Sequence, residues 1–362
     1  MNPTTRIKLF CGGSVLAGFV LCLAAVRFAN VSLSAAGAIR LACPDGDYTW
    51  KSNDAVISFA TTTEMIPSRY DPYNKEPVVS VTALETNILS GSHSALSEFQ
   101  ALLSSDHEPD ITTWRVSPDG KRLLYGGGSS GSYTGDEAAP LSIWALPSGD
   151  IARVDPEVYA GINYTAGSAI WMPDSSLLLI GNDDSGSVAA LFNTESPDDA
   201  SVAIPLAARN ITALGVTPDN RITYTNLPVH IGSIVTVFVQ PILTAQTTPQ
   251  EFTPKLNAGD TILEMALSPR GDRLAWAISS IHTPPGYRFL RRIAPRFAAR
   301  IAPHPVVSLC LSRLDGTHMR RLGMEDNPPG AQDEMVRNIQ WRPNGKWLSY
   351  RWHKGVYMVP AE

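Results

Sequence analysis

Acidic residues are missing from one long stretch of this chain. Between Asp272 and Asp315 there is no Asp or Glu, in a protein whose net charge is −5. Charge is thin throughout, at 17% Asp, Glu, Lys and Arg over 362 residues, which leaves ample material for a large core. The acidic balance argues mildly against nucleic acid as the default partner. Cysteine is scarce as well: there are four, and Cys11 and Cys22 lie inside the one long apolar run. Lipoprotein processing needs a small residue before the cysteine, and Phe10 and Leu21 stand there instead. Catalytic motifs are also wanting. Gly127-Gly-Ser129-Ser-Gly131 spells a nucleophile elbow in letters, but it lies between two strand-like runs and not at a strand-to-helix turn, so it reads as a loop.

The apolar run is Leu9 to Val26, preceded by Arg6 and Lys8 and followed by Arg27. Eighteen residues just span a bilayer, and the basic side is N-terminal. The expectation is a cytoplasmic stub (1–8), a transmembrane helix or signal anchor (9–28) and a linker (29–37). The rest of the chain then stands outside the cytoplasm, periplasmic or extracellular, on a single-pass membrane protein.

From there on the chain repeats itself. Trp114-Arg-Val-Ser-Pro118-Asp119-Gly120-Lys-Arg-Leu-Leu-Tyr125 and Ile339-Gln-Trp-Arg-Pro343-Asn344-Gly345-Lys-Trp-Leu-Ser-Tyr350 are its clearest copies. Looser ones surround Pro173, Pro218 and Pro269, and a copy without proline covers Trp50 to Phe59. Proline fixes φ at the second position of a type I turn, Asp or Asn suits the third, and Gly or Asn tolerates the left-handed fourth. Ser175 suits that last position less well. Two and four residues before the proline position the side chain is apolar in every copy, as in Val116 and Trp114 or Trp341 and Ile339. Period two is the mark of a half-buried strand, so each copy is a hairpin.

A third strand-like run follows each hairpin: 79–83, 141–146, 188–192, 234–239, 306–311 and 356–359. A fourth, more polar run follows most of them: 151–154, 202–205, 251–252 and 319–322. Four antiparallel strands repeated six times predict an all-β, six-bladed β-propeller over 38–362. The sixth unit ends at Glu362 without a fourth strand. The orphan run Ala38-Ile-Arg-Leu41-Ala42 resembles Met319-Arg-Arg-Leu322, so an N-terminal strand is expected to close the last blade and hide two edges. Cys43 and Cys310 then fall in different blades, which argues against pairing them. Trp50, Trp114, Trp171, Trp276, Trp341 and Trp347 take strand positions and read as packing between blades.

The turn-and-strand unit Ser117 to Tyr125 resembles the WD40-like repeat of TolB-type β-propellers, and the resemblance runs through all six units. It implies the fold and says little about function. The TolB family places a small α/β domain ahead of the ring, for which the stretch before Ala38 is too short. The prolyl-peptidase propellers carry a hydrolase domain for which no residues remain.

Two features of the loops bear on function. His107, His230, His282, His304 and His353, with Asp183 and Asp184, map to loops on one face of the ring. His230, His282 and His353 are the metal candidates, although no pair has tight ligand spacing. The second feature is an insertion in the fifth unit, 279–305, carrying Arg288, Arg291, Arg292, Arg296 and Arg300. Phe289, Ile293 and Phe297 recur every four residues, which would align them on one helix face with Pro295 as a kink. Such a segment suits an anionic surface or an acidic partner. The expected function is a non-catalytic scaffold, without cofactor, that binds an envelope protein or a carbohydrate ligand. The alternative is a metal-dependent lyase or hydrolase acting on a sugar or lactone.

Overall fold

The structure is a computed structural model. It describes residues 32–33, 36–43, 47–67, 75–102, 115–125, 141–146, 150–154, 163–183, 186–192, 204–208, 211–226, 235–242, 248–284, 286–299, 302–326, 336–353 and 355–362. These form six four-stranded antiparallel sheets, the blades of a six-bladed propeller. Blade one holds β2 (Asp47–Trp50), β3 (Ala55–Pro67), β4 (Lys75–Asn87) and β5 (His93–Leu102). Blade two holds β6 (Arg115–Val116), β7 (Arg122–Tyr125), β8 (Leu141–Ala145) and β9 (Ile151–Val154). Blade three runs through β10 (Asn163–Trp171), β11 (Leu177–Asp183), β12 (Gly186–Phe192) and β13 (Ile204–Pro205). Blade four has β14 (Ile211–Val216), β15 (Arg221–Asn226), β16 (Val237–Pro241) and β17 (Gln250–Phe252). Blade five has β18 (Thr261–Leu267), β19 (Arg273–His282), β20 (His304–Arg313) and β21 (Arg320–Asp326). Blade six has β22 (Arg337–Trp341), β23 (Trp347–Trp352) and β24 (Gly355–Pro360), and its fourth strand is β1 (Ile39–Arg40).

The expected closure is therefore present: Ile39 pairs with Met358 and Arg40 with Tyr357. The first strands of neighbouring blades touch all the way round, β22 against β2 included, so these six line the ring's axis. Hydrophobic clusters fill every seam between blades. Ile57, Leu123 and Trp144 join blades one and two, for example, and Tyr48, Val356 and Met358 join blades six and one. A closed ring leaves no unpaired seam from which unfolding or edge pairing could begin.

The repeated turn does what its residues suggest. The fourth turn residue donates its N–H to the carbonyl of the first, as Gly120 does to Ser117 and Gly345 to Arg342. All five proline turns put that residue at positive φ, and Ser175, the least suited by type, adopts 67° like the rest. Ser117, Thr217 and Ser268 receive an N–H from the start of the next strand, at Arg122, Arg221 and Arg273. The hydroxyls lock the hairpin register from inside.

Three differences from the sequence reading matter. First, β19 and β20 continue past the insertion boundaries at 279 and 305, pairing Ser279 with Val307 and His282 with His304. Second, part of the stretch read as a linker is built into the ring. Ser32 bridges to Met324 in parallel, and Leu33, 0% exposed, donates its N–H to Glu325 Oε1 at 3.1 Å. Leu33 fits because position 323 is glycine: a Cβ there would stand 2.9 Å from the Leu33 side chain. Third, β3 and β4 span 13 residues each, beyond the hairpin expected to end at Phe59 and the run expected at 79–83. No disulfide joins Cys43 to Cys310. Among the described residues no helix is long and apolar enough to cross a membrane, and the expected transmembrane segment 9–28 lies outside them.

Candidate interaction surface

Between β19 and β20 stands the only helical insertion of the described residues: α1 (Tyr287–Ile293) and α2 (Pro295–Ala298). Gly286, at φ 77°, turns the chain into α1. The first helix ends because Ala294 leaves helical geometry at φ −142°, ψ 66°. Pro295 then starts α2 in the first turn, where a missing N–H costs nothing. The sequence reading put a kink at Pro295; the break lies one residue earlier, and it redistributes the apolar stripe. Leu290 and Ala298 are buried and Phe297 is half-buried, so these face the protein. Phe289 and Ile293 remain 60% and 62% exposed. Phe297 is thereby removed from the outward stripe.

Arg288, Arg291, Arg292 and Arg296 are all exposed, and none of their side chains makes an ion pair or hydrogen bond among the described residues. Arg300 lies outside the described residues. Neither helix has an acidic residue in its first turn. The outward face is therefore two large apolar side chains set among four unpaired guanidinium groups, an arrangement that water alone does not favour.

The histidine candidates separate. His282 and His304 meet at the root of the insertion, with ring centroids 5.7 Å apart, and His304 Nε2 lies 3.2 Å from Asp326 Oδ1. Burial and then the neighbouring His304 hold His282 below its ordinary pKa. His353 is elsewhere, exposed in the β23–β24 turn with its ring against Trp352 at 4.2 Å. His230, His107 and Asp184 lie outside the described residues, as does the side chain of Asp183. Among the described residues no group of three or more His, Cys, Asp or Glu is placed to hold a metal ion.

A polar cluster on the ring's axis escaped the sequence reading. Glu264, on the inner strand β18, accepts the N–H of Ile339 at 3.0 Å on the inner strand of blade six. Burial raises its carboxyl to about 7, against the opposing pull of backbone N–H groups at Ile339 and Asn338 and of Arg115 and Arg337. A bulge between Ile262 and Glu264 re-aims the side chain. The available signal was a single acid inside the apolar run Ile262-Leu-Glu264-Met265. Asn338, at φ 52°, donates Nδ2–H to the carbonyl of Tyr48 at 3.2 Å and so ties blade six to blade one. These groups hold neighbouring blades together.

No family model matches the chain, and no curated protein matches it. Among solved structures it is similar to the β-propeller domain of the trilobed protease of Pyrococcus furiosus, at 13% identity and a TM-score of 0.43, covering 88% of this chain and 81% of that one. It is also similar to the C-terminal WD40 domain of Sif2, at 10% identity and TM-score 0.42, over 90% and 97%. A third is XC5397 of Xanthomonas campestris, a gluconolactonase, at 13% identity and TM-score 0.42, over 89% and 97%. Likenesses this distant carry no argument about what the chain does.

Proposed function

We propose that this chain is a membrane-held, extracytoplasmic propeller whose work is binding and not chemistry, with the α1–α2 insertion as its contact element. The ring supplies a rigid platform, in keeping with the repeat's resemblance to TolB-type propellers. The N-terminal apolar run supplies the tether. What is contacted is a component of the envelope: a protein, a carbohydrate, or the bilayer face. One observation carries the reading. Phe289 and Ile293 are displayed beside four unpaired arginines, on the one helical segment among the described residues, which the blade repeat does not need. Burying two such apolar side chains would contribute roughly 1.5–3 kcal/mol each, enough to keep this face from staying free when a suitable surface is near.

The test is photo-cross-linking in native membranes with the full-length chain. Benzoylphenylalanine replaces Phe289 in one version and Leu89, a still more exposed residue of blade one, in another. A discrete adduct at 289, lost when Arg288, Arg291, Arg292 and Arg296 are changed to Glu, is the expected result. Equal yields at 289 and 89, or no adduct at either, would sink the reading.

A further inference from the structure

The insertion and the N-terminal tether belong to the same blade. Ser32 bridges to Met324 on β21, the outermost strand of blade five, and Leu33 is pinned there by Glu325 and the hole above Gly323. Met324 is level with Ser308 on β20, and Ser308 is four residues from His304, where the insertion is rooted. At about 3.3 Å per residue the two points are only ~13 Å apart along the blade. The apolar run ends at Val26, six residues before Ser32, so blade five is the first part of the ring that the chain reaches from it. If that run sits in a bilayer, blade five is the blade tethered most directly to it.

This position makes sense of the insertion's chemistry. Phe289 and Ile293 are one helical turn apart on α1, with Arg288 and Arg292 beside them and Arg291 and Arg296 flanking. Apolar side chains enter the interfacial layer of a bilayer while guanidinium groups pair with lipid phosphates. No Asp or Glu between Asp272 and Asp315 repels an anionic surface. Ile281, near the insertion's root, is a further exposed apolar side chain at 63%.

We propose that α1 and α2 lie on the anionic headgroups of the very bilayer that holds the N-terminus, so that the ring is fixed to the membrane at two points and does not swing on a single tether. The inference rests on the scaffold reading above and names its ligand as an anionic phospholipid surface.

The full-length chain is placed in nanodiscs of phosphatidylcholine alone, or with a third of the lipid as phosphatidylglycerol, and amide hydrogen exchange is followed. In the anionic discs, exchange across 287–299 is expected to slow roughly tenfold relative to the neutral discs, and to recover in high salt. Phe289→Ser with Ile293→Ser, which keeps every charge, should weaken that protection, and the four Arg→Glu changes should abolish it. Unchanged exchange in β19 and β20 shows that the ring is intact in each variant. Equal exchange in the two kinds of disc overturns the proposal, and so does a chain that fails to enter discs through its N-terminal run. A protein or glycan adduct at position 289 in native membranes, without protection in anionic discs, would leave the scaffold reading standing and remove the lipid. Absence of any adduct would remove the scaffold reading itself.

Discussion

Arginine is used in two opposite ways by this chain. In the ring, Arg122, Arg273 and Arg342 each sit over a tryptophan of the next blade, Trp171, Trp341 and Trp50, at 5.3 to 5.8 Å from the ring centroid. Each also donates to a neighbour's backbone: Arg122 to the carbonyl of Ser175, Arg273 to those of Gly345 and Ala361, Arg342 to that of Asn53. In the insertion, Arg288, Arg291, Arg292 and Arg296 touch no such partner. The first set holds seams shut. The second is left for something outside the described ring, and the contrast lets stability and contact be altered separately.

The largest effect should come from removing a clamp's platform. Trp341 is nearly buried, bonds Ala266 through Nε1 at 3.1 Å and carries Arg273 on its face. Trp341→Ala should cost about 3–5 kcal/mol in denaturant unfolding. Phe289→Ala, also the loss of an aromatic ring, should stay within about 0.5 kcal/mol because the side chain is already in water. A comparable loss at both positions would mean that the insertion is part of the core. One step down, Arg273→Ala removes two charge-assisted bonds and the cation–π contact, for about 2–3 kcal/mol. Changing Arg296 to Ala should leave the unfolding midpoint where it was.

How much of this was legible follows the same division. The blades could be read because turn chemistry is local: proline, Asp or Asn, and a left-handed fourth residue mark each hairpin wherever it occurs. The closing strand could be read because Ala38 to Ala42 resembles the fourth strand of blade five. Leu33 could not, since one leucine in a run of Ser and Ala carries no pattern, and its pocket depends on Gly323 far along the chain. The His282–His304 pair was hidden by 21 intervening residues, and only the extended register of β19 and β20 brings it together. The outward helical stripe was half right, because a break at Ala294 turns Phe297 inward. Glu264 was missed because alternation alone does not reveal a bulge.

That acid offers the next test, on the ring side of the comparison. Its folded pKa of about 7 stands above the ordinary 4.5, so the folded state prefers the protonated form. Its contribution is fully favourable below pH 4.5 and is lost as pH rises through 7. The wild type should therefore lose up to about 2 kcal/mol over that window, with the partial exposure of Glu264 trimming the full linkage value. Glu264→Gln should flatten that part of the profile. A profile unchanged by the substitution would mean that the carboxylate is well solvated.

The smallest effect has the opposite sign, and it separates the two uses of arginine most sharply. Arg288 lies three and four residues before Arg291 and Arg292 on α1, so it repels both, and it occupies a first turn that favours an acid. Arg288→Glu turns two repulsions into attractions, in the better orientation, and should steady the insertion by about 0.5 kcal/mol. In neutral micelles, where no anionic surface competes, amide exchange across Tyr287–Ile293 should slow about twofold. Among clamp residues the same substitution would do only harm, since a carboxylate over Trp341 could donate to no carbonyl. A helix that becomes steadier when an arginine is removed is not tuned for its own stability. If that gain coincides with lost contact at the membrane, the four charges belong to the partner surface. If exchange is unchanged or faster, Arg288 is holding the insertion in place, and the division between the two sets fails at that residue.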